Sequence, residues 1–91
     1  MNTLSALQRD SLYIIAGEEK YGLAIKSAIE EYYETELSYG TFYPKLEELV
    51  EHGLIEAEPC DSRVRSYTLT QRGRDLLKKR QQWEDQQCTE V

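Results

Sequence analysis

Residues 38–55 read SYGTFYPKLEELVEHGLI, and their pattern is the most informative about the fold. Ser38 can cap a helix over 39–52, because its hydroxyl can accept a hydrogen bond from a free amide of the first turn. The apolar side chains that recur at helical spacing within this helix are Phe42, Leu46, Leu49 and Val50. Gly53 follows as a typical stop. Pro44 lies just beyond the first turn, where a proline predicts a kink or local 3₁₀ geometry.

Two helices are predicted before this stretch. Recurring leucines and isoleucines indicate a first helix over 4–16, ended by Gly17, with residues 18–20 as a turn. A second apolar series predicts a helix over 22–34, and a short extended piece, 35–37, then leads to the capping serine. The side chains expected on the exposed side of the second helix are Lys26, Glu30, Glu31 and Glu34.

After Gly53 the pattern changes from helical spacing to alternation. Residues 54–58 predict a short strand, and residues 65–69 predict a second one. Residues 59–64 have the composition of a turn, so the two strands are expected to form a β-hairpin.

A last helix is predicted over 71–86, with Thr70 as its cap. Gly73 weakens its first turns, so packing must hold it there. Residues 87–91 are expected to be a flexible tail. The order helix, helix, helix, hairpin, helix predicts an α+β, mainly α, winged helix-turn-helix domain over residues 1–86, whose last helix serves dimerisation.

Three motifs resemble those of the PadR family of transcriptional regulators. The stretch from Ser38 is similar to the family's recognition helix, with its Ser-x-Gly-Thr-Leu-Tyr-Pro opening and its Gly-Leu-Ile entry into the wing. Residues 21–25, YGLAI, look like the Gly-Tyr-x-Ile opening of the second helix, although Leu23 replaces the usual aromatic residue. Residues 67–73, YTLTQRG, look like the Tyr-x-Leu-Thr-x-x-Gly entry to the last helix. The resemblance spans about residues 4–86 and implies a DNA-binding regulator.

Composition narrows the classes of function. A chain of 91 residues is expected to form one domain with a thin core. No run is apolar enough to span a membrane and no secretion signal is visible, so we expect a cytoplasmic protein. One histidine and two distant cysteines argue against a zinc site. With no Gly-rich phosphate loop and no Ser/His/Asp set, we expect no enzyme, no cofactor and no metal.

Charge is unevenly distributed along the chain, whose formal net charge is −6. Residues 1–58 carry 4 basic and 12 acidic side chains, whereas residues 59–83 carry 7 basic and 2 acidic ones. A concentrated basic segment in an acidic chain is a directional electrostatic feature, although a solvated helix face explains it equally well. The overall acidity resembles proteins of salt-loving archaea and predicts a halophilic archaeal source.

Recognition by a winged helix-turn-helix places the third helix in the major groove and the wing along the backbone. The acidic side chains of this helix lie in its second half, where phosphates would repel them, so only its first half suits the groove. The candidate DNA-binding residues are Ser38, Tyr39, Gly40, Thr41, Tyr43, Pro44 and Lys45, with Arg63 and Arg65 in the wing.

The thin core, together with leftover apolar positions on the first and last helices, predicts a homodimer. The residues expected near its contact are Leu4, Leu7, Leu77 and Trp83. We therefore expect a sequence-specific regulator, a repressor, that binds a pseudo-palindromic operator in double-stranded DNA. The alternative is a winged-helix protein–protein module, an antirepressor or adaptor without DNA binding, which the acidic face of the second and third helices keeps open. Nothing in the sequence indicates a small-molecule effector.

Overall fold

The fold is a set of helices around a small antiparallel sheet, as a computed structural model that describes residues 4–17, 20–60 and 64–88 shows. In chain order the elements are α1 (Ala6–Ile15), β1 (Lys20–Tyr21), α2 (Gly22–Tyr33), α3 (Tyr39–Glu51), β2 (Ile55–Pro59), β3 (Arg65–Leu69) and α4 (Gln71–Gln87). The predicted mainly helical α+β winged helix-turn-helix is confirmed, with most bounds shifted by one or two residues.

Hydroxyl side chains set where α3 and α4 begin. Ser38 accepts a hydrogen bond from the amide of Thr41 at 3.1 Å, and Thr70 accepts one from the amide of Gly73 at 3.1 Å. Both predicted caps are confirmed. The first helix begins two residues later than expected, because Ser5 and Gln8 form a capping box at its start.

Pro44 lies inside α3, and residues 39–51 are α-helical throughout, so of the two expected effects, a kink or local 3₁₀ geometry, the second does not occur. The missing amide of Pro44 leaves the carbonyl of Gly40 without its helical partner. Both residues are exposed, so water can supply that hydrogen bond.

The wing is one strand wider than predicted. The sequence predicted Lys20 at the end of a turn and Tyr21 at the start of the second motif. In the structure the two residues form β1, which pairs with Tyr67 and Ser66 of β3. The resulting antiparallel sheet has the order β1-β3-β2. A strand of two residues is too short to show alternation, so only its pairing with β3 reveals it.

Strands β2 and β3 form the predicted hairpin, with Ile55 opposite Leu69 at its base and Pro59 opposite Arg65 at its far end. Beyond that pair the amide of Cys60 donates to the carbonyl of Val64 at 2.8 Å. The tip of the wing, including Arg63, lies outside the described residues.

The core sits between the helices and the inner face of the sheet. Leu46, at the centre of the inner face of α3, is 1% exposed. The fully buried side chains in the same cluster come from α1, α2, α3 and the start of the wing: Leu12, Ile15, Ile25, Phe42, Leu49, Leu54 and Ile55. The predicted inner face of α3 is therefore confirmed, with Val50 half-buried at its edge.

The buried residues of α4, Gly73 and Leu77, both lie in its first half. A side chain at Gly73 would overlap the carbonyl oxygen of Leu54 and approach Leu69 to 2.8 Å, so the helix can lie this close only with glycine there. Leu77 is buried, and beyond it only Arg80 and Glu84 are half-buried. The expectation from Gly73, that packing holds the start of α4, is confirmed.

The end of α4 lies close to its predicted bound. The helix includes Gln87, one residue more than predicted, and Cys88 caps it. Residues 89–91 of the expected tail lie outside the described residues. Across residues 4–17, 20–60 and 64–88, no helix is both long enough and apolar enough to cross a membrane.

Candidate nucleic-acid interface

A cleft of about 770 Å³ lies between the start of α2, the outer side of α3 and the wing. Tyr39, Tyr43 and Glu47 line it from α3, and Val64 and Arg65 line it from the wing. This cleft and the start of α3 beside it together form the surface that we call the reading face. Its position follows from the hairpin that brings β3 alongside α3.

The outer side of the first half of α3 is exposed and carries no acidic side chain. Ser38, Tyr39, Gly40 and Thr41 are all exposed, and so is Pro44. Helix geometry leaves the amides of a first turn without partners inside the helix, and such amides attract anions. The Ser38 hydroxyl donates to Oγ1 of Thr41 at 2.9 Å, which fixes both side chains.

Tyr39 and Tyr43 differ in role: Tyr43 packs toward the core, and Tyr39 is exposed. Tyr43 is half-buried, packs against the core and meets Phe42 edge-on at 5.2 Å, and this burial raises the pKa of its hydroxyl. Tyr39 is 62% exposed and stacks on Tyr43, with ring centroids 5.8 Å apart and planes at 14°. Tyr39 is thus the more accessible of the two predicted contact residues.

Two side chains of α2 reach the start of α3, which the sequence did not predict. Lys26 and Glu30 were expected on the exposed side of α2, yet both are half-buried. The Lys26 ammonium lies 2.9 Å from Oε2 of Glu30, and the same oxygen accepts from the amide of Leu37 at 2.8 Å. The four-residue spacing of Lys26 and Glu30 is a signal for their pairing, but not for the contact with the turn.

Electrostatics keeps this pair charged. The Leu37 amide and then the Lys26 ammonium hold the pKa of Glu30 below its usual value. The hydrogen bond to Glu30 raises the pKa of Lys26 above its usual value, against a smaller effect of burial. The turn between α2 and α3, which contains Glu34 in a left-handed conformation at φ 56°, is therefore tied to α2 by a charged group.

The wing places one predicted cation beside α3. Arg65 is exposed, and its Nη1 lies 3.7 Å from Oε1 of Glu47. Arg63, its predicted companion, lies outside the described residues. The arginine that can be placed is therefore at the far end of the paired strands of the wing, already next to a carboxylate.

The second half of α3 is acidic on its outer side, as the helical wheel predicted. Glu47, Glu48 and Glu51 are exposed. Glu48 accepts from Nε2 of Gln8 at 2.9 Å, and Gln8 also donates to the carbonyl of Lys45 at 3.1 Å. Lys45 is half-buried at the boundary between the two halves.

The predicted dimer contacts differ in how exposed they are. Leu77 is only 5% exposed and belongs to the core of its own chain, so its expected place near a partner is not supported. Leu4 and Leu7 are half-buried against that core. Trp83 is 51% exposed on the outer half of α4, with the guanidinium of Arg80 4.7 Å from its ring centroid.

Outside the reading face, a tyrosine–aspartate hydrogen bond and two thiols are the next polar features. The Tyr33 hydroxyl donates to Oδ2 of Asp10 at 2.6 Å, and burial followed by this bond raises its pKa to about 12. Cys60 and Cys88 are exposed free thiols. Within the described ranges, no group of three histidine, cysteine or acidic side chains is placed to hold a metal ion.

Comparison with known proteins gives one family and one set of related structures. The sequence profile of the Transcriptional regulator PadR-like family matches residues 12–79. The complex structure of hsRosR-S1 is 38% identical, with 97% of this chain and 79% of that chain covered and a TM-score of 0.91. H. salinarum RosR grown from NaBr is also 38% identical, over 94% of this chain and 78% of that chain, with a TM-score of 0.91.

A more distant structure shares the fold. A PadR-like transcription factor from Bacteroides fragilis is 24% identical over 91% of this chain and 84% of that chain, with a TM-score of 0.77. Among curated proteins, no sequence matches this chain significantly.

Proposed function

The chain belongs to the PadR-like family of transcriptional regulators, and on that premise we propose that it is a repressor that binds its operator as a homodimer. The observation that carries the proposal is the reading face. It combines an exposed first half of α3, free of acidic side chains, with a wing beside it. An enzymatic role is set aside, because the family regulates transcription.

In this proposal the first turns of α3 enter the major groove. Thr41 is short enough to reach a base edge, and the exposed ring of Tyr39 can pack on a thymine methyl group. Gly40 has open space beside it, so the backbone can approach DNA closely. Lys45 and the two wing arginines, Arg63 and Arg65, supply phosphate contacts, which position the protein but carry no sequence information.

The dimer is supported by the outer half of α4. Trp83 is a large exposed side chain beyond the last core residue of the helix. Tyr32 of α2, which is 73% exposed, is a second large exposed aromatic side chain outside the reading face. A second chain could cover Trp83 while Leu4 and Leu7 lie at the edge of the contact. A two-fold dimer would then read two half-sites about one helical turn apart.

The acidity of the chain is compatible with DNA binding at high salt. Salt screens the repulsion between exposed carboxylates and phosphates. The 38% identical RosR comes from H. salinarum, a halophilic archaeon, which supports a similar setting for this chain. DNA binding would also place the protein in the cytoplasm with the chromosome.

A gel-shift assay on the DNA upstream of the protein's own gene tests the proposal. We expect a shifted complex that a scrambled fragment of the same length and composition fails to compete away. Footprinting of that complex should give two protected half-sites. If no upstream fragment is bound at any salt concentration, the acidic second half of α3 instead favours the protein–protein module.

A further inference from the structure

The ring of Tyr39 is held from two sides, although it is largely exposed. On one side it stacks on Tyr43, which is itself packed against the core. On the other side the Lys26 ammonium lies 4.7 Å from the ring centroid. An exposed aromatic residue at a helix start would otherwise change rotamer freely. These two contacts therefore arrange the ring before any DNA arrives.

Lys26 is itself fixed by Glu30. Its ammonium is 2.9 Å from Oε2 of Glu30, and that oxygen also holds the amide of Leu37. Leu37 is two residues before the first residue of α3, so one carboxylate links α2, the turn and the cation over Tyr39. Lys26 is a charged ammonium, whose pKa the bond to Glu30 raises above its usual value, and a cation over an aromatic face is attracted to it.

We propose that Lys26 is a positioning residue for sequence reading: it fixes the ring of Tyr39 in the orientation in which α3 meets base pairs, without contacting DNA itself. The inference rests on the proposed function. An arranged side chain loses less conformational freedom on binding, so the complex gains affinity. Random DNA is bound mainly through phosphates, so it should gain little from a well-placed Tyr39.

Two other roles for Lys26 make different predictions. A lysine that contacts phosphate would affect operator and random DNA alike. Its half-buried position and its bond to Glu30 argue against that role. A lysine that only stabilises the fold would change the melting temperature, and its effect on binding would not depend on Tyr39.

The test compares Lys26→Met, Lys26→Arg and Lys78→Met in dissociation constants for the operator fragment and a scrambled fragment. Lys78 is an exposed lysine on the side of α4 away from Trp83, so Lys78→Met controls for the loss of one charge. Lys26→Met should weaken operator binding by about three- to tenfold per dimer and scrambled binding by less than about twofold. Lys26→Arg keeps a cation over the ring and should keep most of the operator preference.

A double-mutant cycle with Tyr39→Ala completes the test. If Lys26 acts through Tyr39, adding Lys26→Met to Tyr39→Ala should cost no further operator affinity. Equal losses on both fragments, or additive losses in the cycle, would overturn the inference. Circular dichroism checks folding, and if Lys26→Met is unfolded, Lys26→Gln against Lys26→Arg gives the same comparison. A wild-type protein with no operator preference would instead refute the proposed function, and the inference with it.

Discussion

Helices α3 and α4 begin in the same way and then meet different surroundings. In each helix the hydroxyl of the capping residue accepts a hydrogen bond from the amide three residues later, at 3.1 Å. Helix α3 keeps its inner face in the core from Phe42 to Leu49, whereas the last residue that α4 buries is Leu77. Capping therefore sets where a helix starts, and burial decides what it can do. A helix fixed along its length can hold a reading surface, while one that leaves the core offers surface to a partner.

Leu46→Ala is expected to have the largest effect, because it removes the centre of the buried face that fixes α3. The side chain is 1% exposed, and such truncations cost about 2–5 kcal/mol of the free energy of unfolding. Urea denaturation measures the loss. Val50→Ala, at the half-buried edge of the same face, is the control and should cost clearly less. A melting temperature equal to that of wild type would mean that α3 is not held by this face.

Gly73→Ala tests the packed start of α4. Alanine favours a helix over glycine by about 1 kcal/mol, but here its methyl group would overlap the Leu54 carbonyl. We expect a net loss of about 1–3 kcal/mol in the free energy of unfolding, measured by thermal denaturation. Gly40→Ala has open space around it and should be neutral or stabilising. If Gly73→Ala also stabilises the protein, α4 does not lie this close to the wing.

Trp83→Ala tests the part of α4 that leaves the core. Because the side chain is 51% exposed, its loss should change the stability of the single chain by less than about 0.5 kcal/mol. If a second chain covers it, the dimer dissociation constant should rise by more than about tenfold. Analytical ultracentrifugation measures that constant, with Gln82→Ala, the exposed neighbour, as control. An unchanged constant would place the dimer contact elsewhere.

Features determined by local sequence could be predicted, and features that arise from tertiary contact could not. The caps at Ser38 and Thr70 and the spacing of the apolar residues in α3 are local, and both were predicted correctly. Strand β1 has two residues, so only its partner on β3 defines it. Leu77 was expected at a dimer contact, because the sequence does not show how deeply the start of α4 sinks against the wing.

The reading face shows the same division. Its residues were predicted from the helical wheel of α3, whereas the contacts of Lys26 and Glu30 were missed. A wheel assigns a side chain to a face but does not show whether a turn folds back over it. Here the turn brings the Leu37 amide to Glu30. Lys26 and Glu30, which were expected to be exposed, therefore help to hold the start of α3.

Glu47→Gln should produce a smaller effect, confined to salt dependence. In the free protein the charge of Arg65 is partly balanced by Glu47, at 3.7 Å. In the wild type, Arg65 has to leave Glu47 to reach a phosphate. The carboxylate of Glu47 then takes up a cation from solution, and this uptake offsets the release of counterions from DNA. Without Glu47 that offset is gone, so the log–log salt slope should steepen by up to about 0.9 per subunit.

Glu51→Gln is the matched control for that measurement. Glu51 lies one turn further along α3, is exposed, and forms no ion pair with any residue that the structure describes. Its substitution removes the same charge and should leave the slope closer to that of wild type. Equal slopes for the two variants would mean that Arg65 is not exchanged between Glu47 and phosphate.

Thr41→Ala tests whether the first half of α3 reads sequence. Thr41 is exposed on the reading face, and its amide keeps the Ser38 cap when the side chain is removed. Thr35→Ala, an exposed threonine in the turn before α3, is the matched control. The measurement is the ratio of operator to scrambled-DNA affinity at one salt concentration. We predict at least about a fivefold fall in that ratio for Thr41→Ala and no change for Thr35→Ala. An unchanged ratio for Thr41→Ala and Tyr39→Ala alike would contradict the account.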